Sequence, residues 1–454
     1  MATNGIRSTN RDHLDDSLTR AKQFFSFLRC PSCGAKVQVE NGKAGFARSG
    51  RLICVRCSAT YAIKNYIPEL LPSREATLWE SLIRTQTVKI SDKQAYAARE
   101  WMLDVLGISE ADIRETRASK TLWRDIAYLR KAVRNAQLSE DVLLEFIAMW
   151  GARGMAPRYK NTIADQLLGE RLATNYERYE DVLLRVILRC ILDDNEAVLV
   201  ELGSGVGRLL MQYASCKTSR REAARPYRSA FPDMYEPDSL GKPQHLRMLI
   251  GLDFESRMLR SSSAWLSANR LTEEIRTGVI TQVLGSMHHL PFGLEHHMFD
   301  KATKVVCIMF QTIGNQLTSA HRSQILRYAW ELAKPDGVLV VSAFNGEFFQ
   351  KLGIPYYQSI QASVGKAIHV ADATFVSEKG IYSKWMIPSE LERTCHAAGI
   401  ANPLLLWGSQ LEIFPEFDRY IRASSQSRVK NRTLLAVAST DPALLAKVRQ
   451  SLCS

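Results

Sequence analysis

The stretch Val198-Leu-Val-Glu-Leu-Gly-Ser-Gly-Val-Gly207, continued by Arg-Leu-Leu210, reads as a buried strand ending in an acid, then a glycine-rich turn, then the apolar start of a helix. Gly203, Gly205 and Gly207 lack a Cβ, so the backbone can turn sharply and approach a ligand at the carboxyl end of a strand, where open α/β sheets hold nucleotides. A glycine pattern alone also suits loops that cradle phosphate. Glu201, two positions before the first glycine, changes the reading. A carboxylate against the loop repels a pyrophosphate and suits a ligand that carries an ammonium and a sulfonium.

On the C-terminal side of this loop, short β-branched runs alternate with helical stretches, the pattern of a mostly parallel sheet covered on both faces. Strands are expected at about 197–202, 247–253, 278–284, 301–309, 336–343, 402–407 and 432–438. The last two lack an obvious crossover helix, which predicts an antiparallel final hairpin. The fold class is therefore α/β, Rossmann-like, with a seven-stranded mostly parallel sheet over residues 196–454.

The loop resembles the first motif of the class I S-adenosylmethionine-dependent methyltransferases, and further matches follow in that family's order. Leu249-Ile-Gly-Leu-Asp253 resembles its second strand, which implies that Asp253 accepts hydrogen bonds from the ribose hydroxyls. Gly285-Ser-Met-His-His-Leu-Pro-Phe292 resembles a segment in which an acid reads the adenine amino group. Ser286 stands in that acid's place here, which leaves more of the recognition to the backbone of Met287. Phe299-Asp-Lys matches the opening of the fourth strand, and Leu332-Ala-Lys-Pro-Asp-Gly-Val-Leu-Val-Val-Ser342 matches the helix end, turn and fifth strand. The cofactor set implied by the resemblance is Glu201, Gly203, Ser204, Gly205, Gly207, Asp253, Ser286 and Met287.

Methyl transfer from a sulfonium needs an acceptor lone pair about 3 Å from the methyl carbon, in line with the breaking bond, so positioning outweighs acid or base strength. In the family the acceptor sits over the end of the fourth strand, here Cys307-Ile-Met-Phe-Gln-Thr-Ile-Gly-Asn-Gln316. Gln311 and Asn315 are the candidate catalytic amides, and Phe310 a candidate wall. The Thr-Ile-Gly-Asn text is similar to small-molecule amine methyltransferases. The competing assignment makes the two amides caps of a helix that begins near Thr318. Gly380 to Leu391 resembles the segment that covers the acceptor in small-molecule enzymes, so Tyr382 and Trp385 are candidate pocket walls or plain core. His288-His289 and His296-His297 read as loop residues near the cofactor, because no carboxylate or cysteine stands at metal spacing from them.

Before the catalytic region, Cys30-Pro-Ser-Cys33 and Cys54-Val-Arg-Cys57 give the spacing C-x2-C-x20-C-x2-C. Two such knuckles can aim four thiolates at one point, a closed tetrahedral site for structural Zn²⁺. Residues 28–72, closing on Ile67-Pro-Glu-Leu-Leu-Pro72, resemble the small zinc-ribbon domain that activates several methyltransferases, which implies a helper and not a catalyst. The expected organisation is a mobile segment or a short helix over 1–24, a ribbon over 25–74, a helical connector or lid over 75–195 with no visible chemistry, and the catalytic domain over 196–454. Gly207 to Asp253 is longer than such a crossover needs, and the basic, aromatic stretch at about 217–244 reads as an insertion or lid.

Composition is that of an ordinary globular chain, 46% hydrophobic and 23% charged. No apolar run approaches the length of a membrane span. Five of the nine cysteines stand alone, which suits a reducing cytoplasm. Residues 1–74 carry twelve Lys/Arg against five Asp/Glu within a net charge of +12, a balance that can attract phosphate backbones. Three functions therefore stand at this stage. They are N-methylation of a small amine, amino acid or guanidine-like metabolite, methylation of an rRNA or tRNA base with the ribbon as docking module, and a non-catalytic partner protein bound through the ribbon or helical region.

Overall fold

The computed structural model describes residues 6–40, 46–84, 89–168, 187–193, 196–205, 207, 209–210, 245–268, 271–293, 303–347, 365–407 and 433–453. The expected insertion at 217–244 and the pair His296-His297 lie outside the described residues.

Every strand expected after residue 196 forms: β5 (Glu196–Leu202), β6 (Leu246–Asp253), β7 (Ile280–Gly285), β8 (Thr303–Phe310), β9 (Val338–Phe344), β13 (Leu404–Trp407) and β14 (Thr433–Ser439). Their sheet order is β7-β6-β5-β8-β9-β14-β13. The first five are parallel, while β14 runs antiparallel to both β9 and β13. From β5 the chain moves outward to β6 and β7, then returns to β8 on the other side of β5. The order reverses there, so the crevice outside the carboxyl ends of β5 and β8 is the place where such sheets bind ligands.

Alternation along β5 shows why the strand is apolar on both faces. Val198, Val200 and Leu202 pack with Met248, Ile250 and Leu252 on one side. Ala197 and Leu199 pack with Leu246, Leu249 and Ile308 on the other. A sheet covered on both sides leaves no polar face on its central strands.

The sheet does not stop at seven strands. The ribbon supplies β1 (Val37–Val39), β2 (Ser49–Cys54), β3 (Thr60–Lys64) and β4 (Ile67–Leu70), and β4 pairs in parallel with β7 through Glu69 with Leu284 and Leu70 with Gly285. The sheet is thus eleven-stranded. Further contacts fix the join: the Arg29 amide donates to Pro291 O at 2.9 Å, the Gly293 amide donates to Phe27 O at 2.7 Å, and the rings of Phe27 and Phe292 stack at 4.8 Å. Phe24, Leu28, Leu52 and Leu70 share a core with Val283, Met287 and Phe292. Spacing alone could not reveal this docking, because it depends on an edge strand left open at β7.

Ahead of the ribbon, residues 6–27 form one helix, α1, the short-helix alternative for the N-terminal segment. The block after the ribbon is helical as expected, with α2 (Ser73–Arg84), α3 (Asp92–Leu106), α4 (Arg117–Asn135) and α5 (Glu140–Leu168). Its core of Trp79, Leu82, Trp123, Ile126 and Phe146 also takes in Leu317, Ile368 and Tyr382, so it packs onto the region after residue 196. A separate antiparallel sheet of β10 (Ala367–Ala371), β11 (Thr374–Ser377) and β12 (Tyr382–Lys384) was not anticipated. Further helices among the described residues include α6 (Ser256–Ala268), α7 (Thr272–Arg276), α8 (Ser319–Ala333), α9 (Pro388–Ala397) and α10 (Pro442–Cys453).

Candidate functional site

The glycine loop leaves β5 at the point of order reversal. The amides of Gly203 and Ser204 both donate to Leu252 O, at 2.8 and 2.9 Å. The Asp253 carboxylate receives the Gly205 amide at 2.7 Å on one oxygen and the Glu255 amide at 2.8 Å on the other. Asp253 therefore braces the loop from the end of β6. Gly203, Gly205 and Gly207 all have positive φ, a conformation that costs an L residue about 1–2 kcal/mol. Among the described residues nothing lies within 4 Å of a Cβ built on Gly205, so the loop presents bare backbone there. At Gly203 the same construction meets Thr312 Cγ2 at 2.5 Å, and at Gly207 it meets Ser262 on α6. One glycine leaves its Cβ position open and two admit neighbouring elements.

Two buried acids flank this loop. Glu201 is 3% exposed at the end of β5 and Asp253 is 8% exposed at the end of β6. Burial raises the Asp253 carboxyl to about 6, although the Glu255 and Gly205 amides pull it down. Ser204 is turned inward, its buried hydroxyl against Gly251, so its backbone and not its side chain faces the crevice.

Across the crevice β8 ends in a kink. Gln311 has φ +54, and its amide donates to Ser342 O and Ser342 Oγ. The Thr312 hydroxyl, buried between β5 and β8, donates to Leu202 O and Phe310 O at 3.2 and 3.1 Å. Thr312 thus fixes the gap between the glycine loop and the end of β8, a role the sequence left unassigned. Phe310 is half-buried beside Gln311, and Asn315 is exposed at the end of a 3-10 turn. The helix-cap assignment for the two amides fails: α8 is capped by Thr318, whose side chain accepts from the His321 amide at 3.1 Å.

The other predicted residues sit further back. Met287 is buried in the core below the ribbon. Ser286 is 1% exposed, and its hydroxyl accepts from the His288 and His289 amides at 2.9 and 3.4 Å and lies beside the Glu145 carboxylate. Tyr382 is buried in the helical-block core with its phenol beside the Arg322 guanidinium. Trp385 is 1% exposed and stacks on Phe344 at 4.7 Å. Both aromatics occupy packed core positions.

In the ribbon the four cysteine sulfurs converge. Cys33 Sγ lies 3.4 Å from Cys54 Sγ and 3.6 Å from Cys57 Sγ, which in turn lies 3.6 Å from Cys30 Sγ. Tetrahedral zinc with bonds of about 2.3 Å would set sulfurs roughly 3.8 Å apart, so the group fits one ion. Each pair sits on the same kind of knuckle: Gly34 N donates to Cys30 O and Ser58 N to Cys54 O, with Gly34 and Ser58 both at positive φ. Burial opposes ionisation of Cys54, but amide donors at Cys57 and Arg56 and the neighbouring thiols outweigh it and lower the thiol to about 6. A thiol held ionised is a ready metal ligand.

The helical block proves to carry polar chemistry of its own. Glu75 begins α2, five residues after Leu70, and the pairing of Leu70 with Gly285 brings that helix start beside the turn at 286–289. Glu145 reaches the same turn from α5. The ligand atoms of Glu75, Glu145 and His289 lie within 4.8 Å of one another. Burial, with Glu145 adding to it, raises the Glu75 carboxyl to about 7, and burial raises Glu145 as well. Alongside, His288 Nε2 is 3.0 Å from Gln316 Oε1 and His321 Nε2 is 3.0 Å from Asp141 Oδ1. Burial and the adjacent His321 ring depress His288 to about 4, which keeps it neutral. These contacts place α2 and α5 over the carboxyl ends of β7 and β8. The sequence reading missed this because His289 meets its carboxylates from positions 75 and 145, far outside any local spacing.

No protein-family profile and no curated protein matches the chain. Solved structures overlap it at low identity. The CcbJ methyltransferase from Streptomyces caelestis is 16% identical, with 60% of this chain and 100% of that one covered and a TM-score of 0.34. A SAM-dependent methyltransferase from Leishmania major is 11% identical, covering 65% and 82%, with a TM-score of 0.36. A possible histamine N-methyltransferase from Thermotoga maritima is 15% identical, covering 59% and 94%, with a TM-score of 0.28. Among the described residues no helix is long and apolar enough to cross a membrane.

Proposed function

We propose that this chain is an S-adenosylmethionine-dependent methyltransferase that methylates a nitrogen of a small amine, amino acid or guanidine-like metabolite, with structural Zn²⁺ in its four-cysteine ribbon. The observation that carries the reading is the glycine loop at the point of order reversal, open at Gly205 and flanked by two buried carboxylates, Glu201 and Asp253. When bound, the cofactor supplies a methyl carbon activated by a sulfonium. The protein's part is positioning. Asp253 holds the Gly205 amide while keeping acceptor capacity on both oxygens for ribose hydroxyls. Glu201 gives the positively charged methionine portion a compensating charge from beneath the loop.

On the acceptor side, Phe310 supplies a wall and Gln311 and Asn315 supply uncharged hydrogen-bond partners at the end of β8. S-adenosylmethionine bound there would supply the methyl group to the acceptor nitrogen, and Phe310, Gln311 and Asn315 would hold that nitrogen in line with the methyl carbon. The cover of α2 and α5 over the strand ends supports a small acceptor, since a roofed crevice excludes water and bulk. Turnover of an amine pool with tritiated cofactor, and its loss in Asp253→Ala along with cofactor affinity, is the expected result.

A second reading, methylation of an RNA base, is favoured by the exposed Lys36, Arg48, Arg51, Arg56 and Lys64 on the ribbon. Label appearing in bulk rRNA and not in amine pools would select it.

A further inference from the structure

We propose that Glu75, Glu145 and His289 form a second metal site, distinct from the cysteine ribbon, that takes one divalent transition-metal ion between the helical block and the turn after β7. Two carboxylates and an imidazole from three separate elements meet with all ligand atoms within 4.8 Å of one another. Bonds of about 2.0–2.2 Å put ligands on opposite sides of an ion a little over 4 Å apart, so only small side-chain adjustments close the site. The mixture of hard oxygens with one imidazole suits Zn²⁺ or Mn²⁺ better than Ca²⁺ or Mg²⁺, which prefer oxygen alone.

The surroundings call for a cation. Glu145 is 6% exposed and Glu75 lies opposite it. Among the described residues no lysine or arginine forms an ion pair with either one, and the single basic contact of Glu75 is His289 Nε2 at 3.7 Å. Two facing carboxylates in a low-dielectric pocket repel unless a proton or a cation lies between them. The supporting shell is in place too. The Ser286 hydroxyl accepts from the His289 amide and lies beside the Glu145 carboxylate, between two of the ligands' elements. Hydrogen bonds of this outer kind orient metal ligands. Three protein ligands leave coordination positions open, unlike the closed four-thiolate site. The ion would fasten α2 and α5 onto the turn at 286–289, and so hold the roof of the crevice.

The test uses the full chain with its ribbon zinc-loaded. Native mass spectrometry after zinc equilibration is expected to count two zinc ions per wild-type chain and one in Glu145→Gln. Mn²⁺, which thiolates bind weakly, is titrated in parallel by the electron paramagnetic resonance signal of the free ion. One Mn²⁺ should bind per wild-type chain, with at least a tenfold loss of affinity in Glu145→Gln and His289→Gln. Saturating Mn²⁺ should raise the melting temperature of wild type and leave both variants unmoved. Should Glu145→Gln fail to fold, Glu75→Gln, on the outer helix, is read in its place. A single zinc per wild-type chain with no bound Mn²⁺ overturns the site, as does undiminished binding in the folded variants. None of these readouts involves S-adenosylmethionine, so they stand or fall apart from the methyltransferase reading.

Discussion

Gly203→Ala is the substitution whose cost the structure defines most closely. The residue has φ +75, and an added Cβ would come 2.5 Å from Thr312 Cγ2, 2.6 Å from its Oγ1 and 3.1 Å from its Cβ. The backbone penalty of about 1–2 kcal/mol and an overpacking cost of about 1–3 kcal/mol together predict a loss of roughly 2–5 kcal/mol. Thr312→Ala alone removes the hydroxyl that bonds Leu202 O and Phe310 O, at about 1 kcal/mol. In the double variant the two closest atoms are gone while the Cβ at 3.1 Å remains, so the clash is largely relieved and the φ strain stays. A double-mutant cycle in urea should therefore give a favourable coupling of about 1–3 kcal/mol. Cofactor affinity measured calorimetrically should follow, falling in Gly203→Ala and recovering in part in the double variant. Costs that add to within about 0.5 kcal/mol would show that Thr312 does not set the spacing between the loop and β8.

Other consequences follow from named contacts. Asp253 has a folded-state value of about 6, above its ordinary 3.8. Its contribution to stability is thus fully present below pH 3.8 and lost as pH rises through 6, whereas the ionised form is the better acceptor for ribose. Cofactor affinity should weaken from pH 7.5 to pH 5 in wild type and change much less in Asp253→Asn, and an equal change in both would remove Asp253 from the binding site. Under the proposed zinc assignment, chelation, or Cys54→Ser, should speed hydrogen exchange of the Arg29 and Gly293 amides by at least about tenfold, because the ribbon holds both in the join to β7 and the turn after it. Unchanged exchange there would mean that the join does not depend on the metal. Tyr382→Phe should cost about 1 kcal/mol through the lost contact with Arg322 and leave the acceptor KM unaltered; a tenfold rise in KM would return Tyr382 to the pocket.

What the sequence disclosed was set by how local each signal is. The strand from Glu196 to Leu202, its terminal acid and the loop after it are written in consecutive residues, as are the two cysteine knuckles. Asp253 was reachable because its strand is another continuous apolar run. By contrast, the parallel pairing of Leu70 with Gly285 depends on an open strand edge, and the meeting of Glu75, Glu145 and His289 depends on that pairing. Thr312 was passed over between Gln311 and Asn315 because its hydroxyl is spent on backbone carbonyls, which leaves no pattern to read. Ser286 appeared as a missing acid, while the structure sets it between a turn and α5. The helical block, silent as text, brings three acids to the strand ends.

The central claim is tested most directly by titrating the purified chain with S-adenosylmethionine and, separately, with NAD⁺ in a calorimeter. The account predicts one S-adenosylmethionine site per chain, weakened at least tenfold by Asp253→Ala, and no measurable heat with NAD⁺. No binding of S-adenosylmethionine, or tighter binding of NAD⁺ at the glycine loop, would contradict it.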